Sequence, residues 1–460
     1  MRALIQHVRN EKLTAILFVV STGILARLAI WAVYDGPTQA PDTGSYLDLA
    51  RALQTLDFSR YNGWRTPGYP ILLLICGSNP HVVWFVQSLM GLVTTVLIYL
   101  IVEDCSKSRF AATAAALIHT LALNQLFFEA AELSESLAGF LVILSFWASQ
   151  RVAFRGAPVK GTALAGALNA MATLTRPIYF VAAVAQSALL TFAAATRRGR
   201  TIAVFLVCFM APVLAWCAFN QATLGYFGIS TVTGLTLTNH SGAIIERAPD
   251  EFATLRDIYL KHRAEHIAAF GTHRMTIFDA RPEMMARTGL SDAQLSQQLT
   301  RMSVRLFRDY PADYAKSVAQ AWLGFWTVPT LIIEDRFRSS RAFSIMSAIA
   351  TAEKWIFRAA YVLFLCGALP ILWIALVRNR TRDTSWNCAA AMVATVLGVS
   401  VMQAFLEYGS AGRYAVPTQS LAMAAMFIAA SRIVRRGERW SGQVRGAGLQ
   451  NRTRVGEAGS

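Results

Sequence analysis

Charge is scarce in this chain. Asp, Glu, Lys and Arg make up 15% of its 460 residues against 55% hydrophobic, which excludes an ordinary soluble protein and leaves enough apolar sequence for several membrane spans. Acid is scarcer still, 27 residues against 43 Lys and Arg, for a formal charge of +16. That excess does not point to nucleic acid, because the basic residues fall in short clusters between apolar runs and in the C-terminal tail, the positive-inside pattern of a membrane protein. The six cysteines (Cys76, Cys105, Cys208, Cys217, Cys366 and Cys388) are scattered without CxxC spacing, so neither a disulfide framework nor a metal site is expected from them. There is no Walker A loop, Rossmann fingerprint, HExxH or serine nucleophile elbow. Internal repeats and charged helix centres, which a transporter usually carries, are lacking too.

What is present is a series of apolar runs near twenty residues long. Met1 to Lys12 holds Arg2, Arg9 and Lys12 and is expected in the cytoplasm, so the span 13–33 runs outward; it is too long for a signal-peptide core and shows no small-residue cleavage site. Spans 82–102 and 110–123 follow around Lys107 and Arg109, with 124–134 as a second external loop. Spans 135–150, 161–176, 178–195 and 201–219 continue, with Arg151, Arg155 and Lys160, then Arg197, Arg198 and Arg200, on the inner side. The polar stretch 221–340, with helix-like patterns at 251–266 and 294–307, is too long for a connector and is expected to form an external domain lying on the membrane. Inside it, Trp322, Phe325, Trp326 and Pro329 suit an interfacial helix at 315–333 rather than a crossing. Were it to cross, another crossing would have to hide near 341–354, which has only a short apolar run.

Spans 356–377, 386–406 and 415–431 complete about ten, with both termini inside. The expected class is therefore an all-α polytopic membrane protein. It divides into an N-terminal transmembrane module 1–220 with a first external loop 34–81, the external domain 221–340, a C-terminal module 341–434 and a disordered basic cytoplasmic tail 435–460.

The stretch Pro41 to Pro70 is the first polar segment after a span and carries acids, Arg and aromatics together. Asp42 falls just past the membrane boundary, Tyr46 shares its helix face four residues on, and Arg65 leads into the Pro67-Gly68-Tyr69-Pro70 turn. Asp42, Arg65, Glu129, Glu132, Glu135, Arg176, Glu407 and Arg413 all fall at or near the same ends of their spans. That convergence is the strongest signal for a site, since ionisable groups near a bilayer are costly. Each has a plainer reading. Asp42 or Thr43 could cap a helix from Gly44 to Leu56, Arg65 and Arg176 could anchor to headgroups, and Glu132 and Glu135 could sit at a solvated helix start. His240 reads as a loop histidine without a role, and Tyr408 and Tyr414 as members of an aromatic belt.

Pro41-Asp42-Thr43-Gly44-Ser45-Tyr46, Arg65-Thr66-Pro67-Gly68-Tyr69-Pro70, Leu133-Ser134-Glu135, Leu174-Thr175-Arg176-Pro177 and Gly412-Arg413-Tyr414-Ala415-Val416-Pro417 together resemble the GT-C membrane glycosyltransferases. The group most similar is the family 39-like branch of protein O-mannosyltransferases and aminoarabinose transferases. The likeness extends to Gly225–Gly242, to Asp309-Tyr310-Pro311 and to Trp322–Trp326. It implies a bundle of membrane helices with a catalytic Asp in the first external loop, matched here by Asp42, and a polyprenyl-phosphate sugar as donor. Thr-Gly follows Asp42 where some members have a second acid, so a divalent cation is admitted but not carried over.

A sugar on a lipid phosphate needs a base for the acceptor hydroxyl and cations for the leaving phosphate. The expected function is an inverting glycosyltransferase of the inner (plasma) membrane, facing the periplasm or exterior, that transfers a hexosyl or pentosyl group to a lipid, glycan or protein hydroxyl. Asp42 is the expected base. Arg65, Arg176 and Arg413 are expected to hold the phosphate, Glu135 to orient acceptor or cation, and Tyr46 and Tyr69 to contact substrate. The competing classes are a membrane polysaccharide polymerase or ligase and a lipid transporter without bond chemistry. The partners are membrane lipids and the two substrates, with no nucleic acid.

Overall fold

The computed structural model describes residues 2–156, 158–193, 198–378, 383–409 and 411–435. The basic tail beyond 435 lies outside the described residues, as does its expected disorder. Among those described, the chain is helical throughout and its only β pairing is two isolated bridges, Tyr34 to Phe337 and Thr38 to Ala131. In order, the helices are α1 Arg2–Val33, α2 Thr43–Thr55, α3 Gly68–Ile75, α4 Pro80–Ser106, α5 Arg109–Leu121, α6 Leu123–Glu129, α7 Glu135–Phe154, α8 Val159–Thr175 and α9 Phe180–Ala193. They continue with α10 Arg198–Leu224, α11 Thr233–Ser241, α12 Ala253–Phe270, α13 Thr276–Thr288, α14 Asp292–Asp309, α15 Pro311–Phe325, α16 Ser340–Arg378, α17 Thr384–Leu406 and α18 over 419–435, the last preceded by a 3-10 turn Ala411–Thr418.

The protein is an all-α, multi-pass membrane protein. The ten expected crossings are all helical, but among the described residues only six helices are long and apolar enough to cross on their own, or seven if α5 and α6 count as one bent span. The remaining segments, including α8 and the Pro177–Ala193 stretch, are shorter, near the lower limit of about 17 residues for a spanning helix.

One expectation fails. The second loop, 124–134, is largely helix. Ala122 takes an extended backbone that breaks the span, the chain bends by 52°, and α6 restarts with every residue buried. Its N-terminal amides would be orphaned in an apolar setting, but Glu353 of α16 accepts from Leu123 N at 2.7 Å and Asn124 N at 3.1 Å. The stretch 341–354, expected to hold no crossing of its own, is continuous with the following span in a 39-residue α16. At about 1.5 Å per residue such a helix is roughly 60 Å long, about twice the thickness of the ~30 Å hydrocarbon core.

Most membrane helices pack into one large core in which small residues set the spacing. Gly91 of α4 is one case, since a Cβ there would strike Glu129 and Arg27, the latter pair buried at 2.5 Å. Helices α11 to α14 enclose a second core around Leu235, Phe252, Tyr259, Met284 and Leu299. In α14, Leu295, Leu299, Met302 and Leu306 share a buried face at helical spacing, and Ser291 and Gln294 start it with a reciprocal capping box. This second core meets the first loop at Trp64. Gly63, at φ +80°, lets its carbonyl accept from Thr231 N at 2.9 Å, while Ser230 Oγ donates to Trp64 O at 2.8 Å.

Candidate active site

Asp42 occupies the N-cap position of α2 but makes no capping bond. Its carboxylate is turned into a row of alternating charges. Arg65 Nη2 lies 2.6 Å from Oδ1, and Arg413 Nη1 lies 3.0 Å from Oδ2. Arg413 also donates from Nε to Glu135 Oε1 at 2.9 Å, with Nη2 at 2.8 Å from the same oxygen. Arg176 Nη1 closes the row as an ion contact at 2.7 Å to Glu135 Oε1. The order is Arg65, Asp42, Arg413, Glu135, Arg176: three guanidiniums to two carboxylates, leaving one positive charge in excess when both acids are ionised.

Local sequence explains the convergence. Gly68 begins α3 hard against the last turn of α8, where a Cβ would stand 2.8 Å from Thr175 Cα and N, and Thr66 Oγ1 donates to Thr175 O at 3.3 Å. The Arg65 turn is thereby clamped to the residue before Arg176. Pro177 forbids further α-helix at that point, so Arg176 leaves the helix in extended backbone. Glu135 enters as the first residue of α7, and Arg413 arrives on the 3-10 turn before α18.

Aromatic faces hold the guanidiniums flat. Arg65 lies 4.5 Å from the Tyr46 ring centroid and donates from Nε to Ser45 Oγ at 2.7 Å. Arg176 lies 4.5 Å from the Tyr414 centroid. Tyr46 shares a 3.0 Å hydrogen bond between its hydroxyl and Ser134 Oγ and meets Tyr69 edge-on, with centroids 4.9 Å apart. The seven residues singled out from the sequence, Asp42, Tyr46, Arg65, Tyr69, Glu135, Arg176 and Arg413, thus form one contiguous cluster. Its open face belongs to Asp42, Arg65 and Arg413, whose side chains are 30%, 23% and 25% exposed, whereas Glu135 is 0% exposed.

Burial acts to raise the Asp42 pKa, but the charges of Arg65 and Arg413 outweigh it and hold the carboxyl below its ordinary range. Glu132 behaves oppositely: burial pushes it up, its Oε2 has no hydrogen-bond partner, and no guanidinium reaches it among the described residues. Burial, then the nearby Glu132 charge, drives the Tyr69 phenol well above its usual range.

Two of the charges expected at the same place go elsewhere. Glu129 pairs with Arg27 of α1. Glu407 accepts from Asn239 Nδ2 at 3.1 Å and so faces α11. His240 lies in helix rather than loop, buried, with Nδ1 2.8 Å from Ser317 Oγ and its ring stacked on Tyr408 at 5.3 Å. Tyr408 is therefore interior rather than belt. Tyr414, also read as belt, supports Arg176; with Ser45 and Ser134 it is a site residue that the sequence reading missed, although its place beside Arg413 was the available signal.

The donor set does not suit a divalent cation. Both Asp42 oxygens and one Glu135 oxygen already face guanidiniums, which repel a metal, Thr-Gly follows Asp42, and among the described residues no three His, Cys, Asp or Glu side chains gather to hold one.

No family model matches the sequence, and no curated protein matches it. Among solved structures the chain is similar to the archaeal oligosaccharyltransferase AglB from Archaeoglobus fulgidus in complex with an inhibitory peptide and a dolichol-phosphate. Identity is 14% and the TM-score 0.49, over 95% of this chain and 52% of that one. It is also similar to an Archaeoglobus fulgidus oligosaccharyltransferase tethered to an acceptor peptide, at 14% identity and TM-score 0.46, over 90% and 49%. The chain spans about half the length of these structures.

Proposed function

We propose that this protein is an inverting membrane glycosyltransferase that moves a sugar from a polyprenyl-phosphate donor to a hydroxyl on a lipid, glycan or protein at the external face of the membrane. The observation that carries the reading is the sharing of Asp42 between two arginines that are each anchored independently of it, Arg65 by Ser45 and Tyr46 and Arg413 by Glu135. A phosphodiester brings one negative charge to a cluster with one positive charge in excess. It draws the exposed guanidinium edges of Arg65 and Arg413, which Glu135, Ser45 and Tyr46 keep in place while their hold on Asp42 loosens.

The chemistry then needs one step. The acceptor oxygen attacks the anomeric carbon and forms the new C–O bond, Asp42 takes the hydroxyl proton, and the bond from that carbon to the phosphate oxygen breaks on the opposite side. Configuration is inverted, and the polyprenyl phosphate departs with its charge held by the arginines. Arg176, more deeply buried against Glu135 and Tyr414, keeps the inner end of the row fixed.

Asp42→Asn tests this. The side chain makes no capping bond to lose, and Glu135 and Ser45 still hold the arginines, so the variant is expected to fold and bind a synthetic polyprenyl-phosphate sugar. Transfer is expected to fall by about 100-fold or more, the range for loss of a general base. Near-normal turnover in nanodiscs would remove Asp42 from the mechanism.

A further inference from the structure

One helical turn below the charged row, α4, α5, α6, α7 and the start of α18 enclose a cavity of about 20 Å³. Gln87, His119, Glu129, Ser136, Pro417 and Ser420 are among its lining residues. Four of them carry a buried polar atom with no hydrogen-bond partner: Gln87 Oε1, His119 Nε2, Glu129 Oε2 and Ser136 Oγ. Such atoms are rarely left dry, a carboxylate oxygen least of all.

The surrounding bonds fix the Gln87 and Glu129 atoms as acceptors, and the His119 tautomer sets the role of its ring nitrogen. Gln87 Nε2 donates to Glu129 O and Ala131 O, both at 2.8 Å, so the amide cannot flip and Oε1 is an acceptor. Glu129 Oε1 accepts from Arg27 Nη2 at 2.5 Å, leaving Oε2 as a second acceptor. His119 Nδ1 lies 2.8 Å from Ser420 Oγ; with that hydroxyl donating to Nδ1, the ring carries its proton on Nε2 and is a donor. Ser136 Oγ–H is free to donate as well. Two acceptors and two donors match the two hydrogens and two lone pairs of one water molecule, and the volume exceeds the roughly 10–15 Å³ that one water needs.

We propose that this cavity is a binding site for a single ordered water that bonds to Gln87, His119, Glu129 and Ser136 and ties four helices together beneath the charged row. A monovalent cation fits the charge less well. Arg27 already neutralises Glu129 and spends three of its other N–H groups on Ser88 O, Gly23 O and Thr120 Oγ1, so a second cation would add an unbalanced charge in a low-dielectric interior. The water sits on the residues that follow the site: Ser136 comes directly after Glu135, and Pro417 lies one turn past Arg413.

X-ray hydroxyl-radical footprinting of the full chain in nanodiscs tests the site, because a bound water is split in place and oxidises its neighbours however well they are shielded. His119 and Pro417, both buried, are expected to be oxidised. After a brief transfer into ¹⁸O water, their label is expected to lag that of surface residues. Ser136→Val, which fills the cavity with a methyl group, is expected to lower oxidation at both positions several-fold, whereas Ser136→Ala leaves room for the water and preserves it. Absence of oxidation at His119 and Pro417 in the unmodified protein would overturn the proposal without recourse to any variant. Thermal stability that changes when sodium or potassium replaces a bulky organic cation would overturn it in favour of an ion.

Discussion

At the scale of residues, the row from Arg65 to Arg176 makes a specific claim about pH. In the free protein, burial raises Asp42 and the two guanidiniums lower it further than that, so it is ionised well into acid. A donor phosphate that draws those N–H groups away removes part of the lowering, and the carboxyl pKa rises in the complex. Activity needs the ionised form, so both profiles have an acid limb. That of kcat/KM for the donor, which reports the free enzyme, is expected at lower pH than that of kcat at saturating donor, which reports the complex. Coincident limbs, or the reverse order, would mean that the arginines do not exchange partners. Asp42, Arg65, Tyr69, Arg176 and Arg413 were legible because each stands within two residues of a Pro or Gly near an apolar run, Glu135 because it opens one, and Tyr46 because it follows Asp42 at helical spacing. Glu129 and Glu407 sit at equally suitable depths but were misplaced, since sequence reports depth along a span and not the direction in which a side chain leaves it.

At the scale of elements, the bend between α5 and α6 is the feature that hydropathy could not supply. The run over 110–123 looks like one span, and nothing in it announces that Ala122 will take an extended backbone. The compensation comes from Glu353, 230 positions away in the chain from Leu123, where local pattern has no reach. Loss of a helix N-cap costs about 0.5–2 kcal/mol, and a buried amide left unpaired about 1–3 kcal/mol. Glu353→Ala is therefore expected to destabilise the protein by roughly 2 kcal/mol or more, read as a lower midpoint of thermal unfolding in detergent. Glu353→Gln, which keeps one acceptor oxygen, is expected to lose about half as much. An unchanged midpoint in Glu353→Ala would show that the amides find another acceptor. The length of α16 was hidden for a related reason: Arg341, Glu353, Lys354 and Arg358 interrupt its apolar run and hide the continuity of the backbone.

At the scale of the whole molecule, the charges separate into two ends. One carries the Arg65 to Arg176 row and, through Gly63, Trp64 and Thr231, the core of α11 to α14. The other carries Lys12 with Glu103, Arg151 with Asp104, and Arg432 with Asp383. Residues near 270 and near 156 are therefore expected on opposite sides of the membrane, whichever side is which. The positive-inside rule supplies the sign: Arg151, Arg155, Lys160, Arg198 and Arg200 crowd the second end, and Lys and Arg in short loops are retained in the cytoplasm. A reporter fused near 270 is therefore expected to be extracytoplasmic, and fusions near 156 and 199 cytoplasmic. The fusion near 381, also expected inside, falls outside the described residues and rests on charge alone. Fusions at 270 and 156 on the same side would contradict the helix packing itself. Opposite sides with the sign inverted would keep the packing but put the charged row in the cytoplasm, and the lipid-linked donor would then have to be presented from the inner leaflet.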